Sequence, residues 1–327
     1  MRLATFNIEN LDIGPDAAVR LETRTATLRP ILERLAADVL CLQEVNGQHV
    51  PGAPERRLVA LDALLQGTRY AAYHRVATTG PSGVGAASVH NLVTLSRFPI
   101  RAHREVRHDL MRPPLHNSLS DAAKDAPPQP VTFDRPLLLA VIDVPGPRLL
   151  HVINLHLRAA RASPIAGGKL DGTTWRTTGG WAEGYFLSSL KRTAQALELR
   201  LLVDQLLADD PGALIAVAGD FNAEDHETPV RLAVAEQDQT GNAALAALAL
   251  AVLDRAVPDD RRWSVLHRGR AQMLDHILAS AELARRFVRL EVHNDGLTDE
   301  AIDDAACVVG SSHAPLVAEF TTNSQGG

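Results

Sequence analysis

Short apolar runs recur along the chain at the length expected for β-strands. Most are continuous rather than strictly alternating, which is typical of sheet strands covered on both faces. The pattern therefore predicts strands within a buried sheet. The predicted strands are residues 3–8, 39–42, 91–95, 137–144, 149–157, 213–218 and 273–278.

Helical spacing of apolar residues separates several of these runs. Residues 19–36 and the longer stretch 184–208 place leucines at intervals of three and four, which predicts amphipathic helices. Residues 242–254, NAALAALALAVLD, predict a buried Ala/Leu helix. The proline-rich segment 111–130 and the glycine-rich segment 158–183 predict long loops.

The order of these elements is mixed and does not repeat strictly as strand, helix, strand. This order favours layered α/β architecture with mixed sheets. No shift in composition marks a second domain, and α/β sandwiches often run to about 250 residues as one unit. We therefore predict one domain over residues 1–322, followed by a short flexible tail at 323–327.

Composition narrows the class of protein. The chain has 327 residues, a net charge of −6 and a pI of about 6.1, so its overall charge gives no support to non-specific nucleic-acid binding. A local basic groove is still compatible with these values. Cys41 and Cys307 form no CxxC pair and predict buried free thiols. Without a signal peptide or an apolar run long enough for a membrane span, the sequence predicts a cytoplasmic protein with no integral membrane association.

Acidic, amide and histidine residues stand at or beside the ends of the predicted strands. In α/β folds, such positions project into the crevice at the sheet edge where ligands bind. Any one of these residues is more often a solvated cap, but the order and context of the whole set favour a site. The candidate residues are Asn7, Glu44, His156, Asp220, Asn222, Asp275 and His313.

These residue types fit metal-assisted phosphoryl transfer. Mg²⁺ prefers oxygen ligands and keeps several waters, so one or two carboxylates are enough to hold it. The reaction also needs a positioned water, neutralisation of charge and a proton donor for the leaving oxygen. The candidate set can supply each of these.

The motifs TFNIEN, LQEV, LSRFPI, NLHL, GDFNAE, LDHIL and SSHAP follow one another along nearly all 327 residues. In this order they resemble the motifs of the endonuclease/exonuclease/phosphatase superfamily, which has the DNase I-like fold. The resemblance implies a four-layer α/β sandwich, with two central mixed β-sheets flanked by helices. It also implies hydrolysis of a phosphoester bond with Mg²⁺ or Mn²⁺ as cofactor.

The resemblance implies a metal-binding side of the site. Glu44 would be the principal metal ligand, with Asn7 beside it helping to fix metal and phosphate. Asp220 would contribute to the metal site and orient or deprotonate the attacking water.

The resemblance also implies a phosphate-binding and proton-donating side. Asn222 would donate a hydrogen bond to a phosphate oxygen, and His156 would lie near the leaving group. His313 would hold the scissile phosphate or shuttle a proton. Asp275 would orient the His313 ring, because a carboxylate fixes the tautomer of an imidazole and raises its pKa.

One position departs from the family pattern. The last motif is usually Ser-Asp-His, whereas this chain has Ser312 directly before His313. A hydroxyl is a much poorer Mg²⁺ ligand than a carboxylate, so weaker metal binding, a substitute carboxylate and lost activity are all open. A nearby acidic segment offers substitutes, although a solvated loop is the favoured interpretation of it. Its acids are Asp299, Glu300, Asp303 and Asp304.

The substrate class stays open at this level. A nuclease acting on DNA or RNA is the first hypothesis, and a phosphatase or phospholipase-type hydrolase of a small phosphoester or phospholipid is the second. A catalytically impaired binding protein on the same fold is the third, because of Ser312. Trp175 and Trp181 offer surfaces for stacking on a base or lipid headgroup, but packing against their own loop is the favoured interpretation.

Overall fold

Sixteen β-strands and six α-helices form the part of the chain that the computed structural model describes, residues 1–13, 20–119, 127–301 and 309–321. The strands are β1 (Arg2–Leu11), β2 (Val39–Val45), β3 (His74–Ala77), β4 (Asn91–Ser96), β5 (Ile100–Val106), β6 (Leu115–His116), β7 (Gln129–Pro130), β8 (Leu137–Ile142), β9 (Leu150–His156), β10 (Leu214–Asp220), β11 (Ala251–Val252), β12 (Val265–His267), β13 (Arg270–Gln272), β14 (Asp275–Ala279), β15 (Phe287–Val292) and β16 (Leu316–Phe320). The helices are α1 (Leu21–Leu35), α2 (Val59–Leu65), α3 (Thr178–Asp209), α4 (Thr228–Val234), α5 (Gln237–Thr240) and α6 (Ala281–Ala284). The predicted tail at 323–327 and Cys307 lie outside the described residues.

Two six-stranded mixed sheets form the centre of the fold. The first has the order β15-β16-β1-β2-β4-β3 and the second has the order β11-β14-β10-β9-β8-β5. Each sheet contains one parallel pair, β1 with β2 and β9 with β10, and its other pairs are antiparallel. Since β1, β2, β9 and β10 lie in the interior of their sheets, apolar residues on both faces of these strands are buried.

Three apolar clusters fill the spaces between the layers. Leu3, Val39 and Val152 belong to the cluster between the two sheets. A second cluster packs α1 and α2 on the outer face of the first sheet, and a third packs α3 and α4 on the outer face of the second. The layers thus run helix, sheet, sheet, helix, which confirms the predicted four-layer α/β sandwich.

A buried polar contact also joins the two sheets. Asn154 of β9 accepts a hydrogen bond from Gln43 Nε2 of β2 at 2.8 Å. Its Nδ2 donates to the backbone oxygens of Leu42 and Val93, at 3.2 and 3.1 Å. Buried amides need such partners, so the contact constrains how the second sheet sits on the first.

Helix α3 begins earlier than its apolar period predicts. Thr177 caps it by accepting a hydrogen bond from the backbone N–H of Gly180 at 3.0 Å, so the helix includes Thr178 and the residues after it. The prediction of a loop through residue 183 is therefore wrong over its last six residues. The first turns of the helix carry exposed aromatic residues, so they do not follow the apolar period that begins at residue 184. For this reason the period did not predict that these turns are helical.

The prediction of a buried Ala/Leu helix at residues 242–254 is wrong. Residues 243–248 form a short 3-10 helix with no buried residue, and strand β11 and a second 3-10 turn follow it. Asn242 begins the turn by accepting from the backbone N–H of Ala244. Alanine side chains bury little apolar area, so this run gains little by packing as a helix; the chain enters the core only at Leu250.

The structure describes the Cys41 thiol, and its helices can be compared with the length and hydropathy of a membrane span. Cys41 is a buried free thiol, and burial raises its pKa to about 12. Within the described ranges, no helix has both the length and the hydropathy that a membrane span requires.

We expect Gly219→Ala to destabilise the fold and disturb the end of β10. Gly219 has φ of 152°, and a Cβ there would lie 2.0 Å from the backbone oxygen of Leu155 on β9. The two strands would have to separate next to Asp220. Urea unfolding should show a loss of about 2–4 kcal/mol in the free energy of unfolding.

Gly172→Ala is the matched control, because a Cβ at that exposed position meets no atom within 4 Å. It should unfold like the unmodified protein. Equal stability of both variants would contradict the close approach of β10 to β9.

Candidate active site

Three neighbouring strands of the second sheet bring candidate residues together at one edge. His156 ends β9, Asp220 ends β10 and Asp275 begins β14. In the strand register, Asp220 is directly opposite both His156 and Asp275. The candidate residues that sequence analysis placed at strand ends are thus cross-strand neighbours, although up to 119 positions separate them along the chain (275 − 156).

The first sheet contributes Asn7 and Glu44 to the same edge. Asn7 Nδ2 donates to Glu44 Oε1 and to Asp220 Oδ2, both at 3.1 Å. Asn7 is the last residue of regular pairing between β1 and β2, because the register shifts between Asn7 and Leu11. Asn7 therefore does not end its strand as predicted, but it does stand where the regular part ends, and its amide connects the carboxylates of the two sheets.

Asn222 lies in the turn that follows β10, in the left-handed region at φ 49°. Its backbone N–H donates to Asp220 Oδ1 at 2.8 Å, and its Nδ2 donates to Asp220 Oδ2 and to the Leu157 backbone oxygen, both at 3.1 Å. Arg192 of α3 donates to the Asn222 backbone oxygen at 2.7 Å. In this arrangement Asn222 holds the Asp220 carboxylate in place.

His313 and Asp275 form a close ion pair. His313 Nδ1 lies 2.8 Å from Asp275 Oδ2, and His313 Nε2 faces Asp220 Oδ2 at 3.9 Å. Burial alone lowers the pKa of His313, but the charges of Asp275 and Asp220 outweigh burial and raise the pKa to about 10. His313 is therefore an imidazolium at neutral pH, with Nε2 directed toward the other carboxylates.

Asp220 and His156 have protonation states set chiefly by burial. Burial, and then the charge of Asp275, raise the pKa of Asp220 to about 7. Burial, and then the positive charge of Arg135, lower the pKa of His156 well below 6.5. His156 Nε2 lies 3.4 Å from Asp220 Oδ2. A neutral imidazole thus stands beside a carboxyl group that titrates near neutral pH.

Two further residues at the site were missed by sequence analysis. Arg135 Nη1 donates to the His156 backbone oxygen at 3.1 Å, and the charges of Glu44 and Asp220 act on its guanidinium. His90, at φ 57°, places Nε2 3.9 Å from Glu44 Oε2 and 2.9 Å from Asn10 Oδ1. His90 directly precedes β4, and Arg135 lies two residues before β8. Their positions beside the predicted strands 91–95 and 137–144 were therefore a signal, but neither residue belongs to a motif that the resemblance singled out.

The carboxylate next to Ser312 belongs to Glu9. The backbone N–H and the Oγ of Ser312 donate to Glu9 Oε2 at 2.8 and 3.0 Å. Glu9 has φ of 49°, and buried Arg24 fixes this part of β1 by donating to the backbone oxygens of Glu9 and Gly310 at 2.6 and 2.8 Å. The irregular end of β1 thus carries a carboxylate to the loop before His313.

The acidic segment that the sequence offered as a substitute for the missing acid at Ser312 makes its contacts elsewhere. Asp299 accepts hydrogen bonds from the backbone N–H groups of Arg268 and Gly269, and Glu300 pairs with His267. These two acids fix the turn between β12 and β13. Asp303 and Asp304 lie outside the described residues.

The donor set suits a hard cation. Glu44 Oε1 and Asp220 Oδ2 accept hydrogen bonds from the same amide nitrogen of Asn7, and Glu9 places a third carboxylate against Ser312. Asp220, Asp275 and His313 also lie within 4.8 Å of one another, and the buried Oδ1 of Asp275 has no hydrogen-bond partner among the described residues. Converging carboxylates repel one another, so a divalent cation held by Glu44, Asp220 and Asn7 would relieve the repulsion.

Comparisons with known proteins give a consistent result. The sequence profile described as Endonuclease/Exonuclease/phosphatase family matches residues 4–313. Among solved structures, truncated TDP2 from Caenorhabditis elegans is 16% identical with a TM-score of 0.54, covering 98% of this chain and 96% of that one. A search of curated proteins finds no match.

Two more solved structures are similar over nearly their whole length. The 3′ phosphatase NExo from Neisseria, bound to product DNA hairpin, is 18% identical with a TM-score of 0.51, covering 98% of this chain and 99% of that one. An AP endonuclease from Archaeoglobus fulgidus is 19% identical with a TM-score of 0.51 and the same coverage. At these identities the similarity shows the fold.

We expect Asp275→Asn to lower the pKa of His313 by more than one unit, because the largest opposing charge is removed. NMR titration of the imidazole nitrogens in EDTA measures this change. Since the folded pKa is raised above the unfolded value of about 6.5, the ion pair stabilises the fold fully below that pH and loses its effect as pH rises toward 10.

His151 on β9 is an internal control, because burial lowers its pKa and its nearest charge is Asp210. Its titration should be the same in both proteins. An unchanged His313 titration in Asp275→Asn would contradict the ion pair.

Proposed function

This chain belongs to the Endonuclease/Exonuclease/phosphatase family, and from that premise we propose that it is a metal-dependent phosphodiesterase. In the proposed reaction, a water attacks the phosphorus in line with the leaving oxygen, and one P–O bond breaks. The arrangement that supports the proposal is the cluster of Glu44 and Asp220 around Asn7, with the imidazolium of His313 and the guanidinium of Arg135 beside it.

Asp220 is the proposed base for the attacking water. Burial and the charge of Asp275 raise its pKa to about 7 in the metal-free site, and a bound cation would favour the carboxylate, which is the form that accepts a proton. Asn7 and Asn222 each donate to Asp220 Oδ2, so the carboxylate is fixed in direction. A fixed orientation of this kind is what a water-positioning group requires.

His313 and Arg135 are the proposed phosphate-binding cations. With a pKa raised to about 10, His313 is already protonated at neutral pH and cannot accept a proton from water, so we assign it to holding the phosphate oxygens. A phosphodiester is an anion and would be repelled by Glu44 and Asp220 without such positive charges. Neutral His156 is left to form hydrogen bonds near the leaving oxygen.

A bound Mg²⁺ or Mn²⁺ would polarise a phosphate oxygen and neutralise the charge that develops on it. The residues proposed to hold the ion are Glu44, Asn7 and Asp220, as the sequence motifs implied. Glu9 is the proposed substitute for the missing Asp at Ser312, because it is the carboxylate that contacts Ser312. This contact favours an active enzyme over the impaired binding protein.

A nucleic acid is the first proposed substrate. NExo bound to product DNA hairpin and the AP endonuclease share the fold, and they support this choice. The net charge of −6 gives no general affinity for polyanions, so binding would rest on local positive charge near the cleft. A small phosphoester or a phospholipid is the second candidate, since the same phosphate-binding cations would accept either.

We expect Glu44→Ala and Asp220→Ala to lower kcat by at least about 100-fold, since metal ligation or proton transfer is lost. The measurement is hydrolysis of bis(p-nitrophenyl) phosphate and of supercoiled plasmid, in Mg²⁺, in Mn²⁺ and in EDTA. The unmodified protein should turn over only with metal, and plasmid nicking would favour the nuclease over the small-substrate enzyme.

Glu22→Ala provides a control acid, because the Glu22 side chain is exposed in the first turn of α1 and is not among the residues placed at the site. Its activity should equal that of the unmodified protein. Unchanged turnover in Glu44→Ala would contradict the proposed site, and no turnover by the intact protein on either substrate would favour the binding protein or a narrower substrate.

We expect Ser312→Asp to be less stable than the unmodified protein in EDTA, because a second carboxylate would face Glu9. The loss should be about 1–3 kcal/mol, and Mg²⁺ should recover it by binding between the two acids. Thermal unfolding with and without Mg²⁺ measures both effects.

Ser312→Asn is the neutral control of the same size as Asp, and Mg²⁺ should stabilise it no more than the unmodified protein. If Mg²⁺ raises the Tm of both variants equally, then position 312 does not border the metal site.

A further inference from the structure

The exposed aromatic side chains of the protein lie together at the start of α3. Of three tryptophans, three tyrosines and seven phenylalanines, those exposed are Trp181 at 48%, Tyr185 at 39% and Phe186 at 54%. Trp175, by contrast, packs its own loop, with Lys169 5.1 Å from its ring centroid. An exposed group of this kind is uncommon on a chain with 4% aromatic residues and marks a binding surface.

Trp181 and Tyr185 lie on the face of α3 that continues to the active site. Together with Ser188 and Arg192 they are spaced four, three and four residues apart, so the four side chains share one stripe of the helix. Ser188 donates to the Arg161 backbone oxygen, and Arg192 donates to that of Asn222. From Arg192 to Tyr185 is about 10 Å along the helix axis.

The two rings form one surface. Their centroids are 5.7 Å apart, with 30° between the ring planes. We define this pair, Trp181 and Tyr185, as the aromatic platform. Phe186 is turned to the other side of the helix, where it contacts His116 at 5.8 Å between ring centroids.

The segment of the chain that carries the aromatic platform is positively charged, although the whole chain is acidic. Residues 158–192 carry six basic and two acidic residues, a net charge of +4 (6 − 2), against −6 for the chain. Asp134 pairs with Arg158 and Lys191, whereas Arg161 and Arg176 are exposed. This segment therefore attracts an anionic partner to the same side of the molecule as the phosphate-binding cations.

We propose that the aromatic platform binds the unpaired bases of a single-stranded nucleic acid whose backbone enters the active site. Aromatic rings beside positive charge bind single strands, because every unpaired base offers a face for stacking. A duplex hides its base faces within its own stack. The proposal rests on the proposed phosphodiesterase function and names its substrate class, a single strand or a single-stranded end.

A lipid surface would need aliphatic residues on the same face as the platform. Exposed Leu115 and Leu119 lie instead beside Phe186 and Glu183, because β6 holds His116 against Phe186 and the Leu119 N–H donates to Glu183. Exposed Leu197 of α3 is sixteen residues after Trp181, which places it on the other side of the helix. The face that continues to the active site is therefore aromatic and cationic, as a nucleic-acid strand requires.

The experiment measures binding and hydrolysis separately. Fluorescence anisotropy in EDTA gives the Kd of the full chain for a labelled ten-nucleotide thymidine strand and for a duplex of the same length. The double variant Trp181→Ala/Tyr185→Ala should raise the Kd for the single strand at least about 10-fold and change the duplex Kd less.

Phe186→Ala is the matched control, since Phe186 is equally exposed but belongs to the other flank, and it should leave the single-strand Kd unchanged. Trp181→Phe/Tyr185→Phe keeps two rings and should bind within about threefold of the unmodified protein. An equal Kd for the alanine double variant, or an equal loss in Phe186→Ala, overturns the proposal.

Hydrolysis distinguishes failure of this proposal from failure of the proposed function. In Mg²⁺, the ratio of kcat/KM for the single strand to that for bis(p-nitrophenyl) phosphate should fall in the alanine double variant. If single-strand binding depends on the aromatic platform but neither ester is hydrolysed, the proposed phosphodiesterase function is refuted and the proposed binding surface is supported. Binding of phosphatidylserine vesicles, lost in the alanine double variant while single-strand binding is kept, would refute the nucleic-acid platform.

Discussion

The site depends on carboxylates from two separate sheets that converge at one edge although they repel one another. Glu44 comes from β2, and Asp220 and Asp275 come from adjacent strands of the second sheet. Asn7 partly offsets the repulsion, because its single amide nitrogen donates to both Glu44 and Asp220. Buried charges need partners of this kind, so the position of one sheet on the other is tied to the chemistry of the site.

The same convergence divides the titratable groups into two classes. Asp275 Oδ2 lies 2.8 Å from His313 Nδ1, and the charge of Asp275 contributes most to raising the pKa of His313 to about 10. Asp220 has no such close cation, so burial and its neighbour Asp275 hold its pKa near 7. Groups whose environments push their pKa values apart are those to which acid, base and charge-stabilising roles can be assigned. The division here follows from which carboxylate stands closest to the imidazole.

The apolar runs predicted seven of the sixteen described strands, because a continuous apolar run of strand length is a local signal. These seven are β1, β2, β4, β8, β9, β10 and β14. The four-layer sandwich was implied by the resemblance of the motifs to those of the family. Sequence analysis also selected residues that the structure brings to one edge, including His156, Asp220 and Asp275. It could not place Arg135 or His90, since their proximity to the site depends on how connecting segments fold over the edge. The prediction of a buried helix at residues 242–254 was wrong for a different reason. The sequence pattern shows that these residues are hydrophobic, but their burial depends on whether a neighbouring element offers space for them.

Ser312 shows how position in a motif differs from position in space. The motif has no acid directly before His313, and the acids closest in sequence are Asp299 and its neighbours. The carboxylate that reaches Ser312 comes instead from Glu9, about three hundred residues away in the chain. It gets there because β1 leaves regular pairing after Asn7 and turns through positive φ. The contact between Glu9 and Ser312 depends on the path of the folded backbone, which the motif does not show. A missing acid in a motif is therefore weak evidence that the site lacks a negative charge.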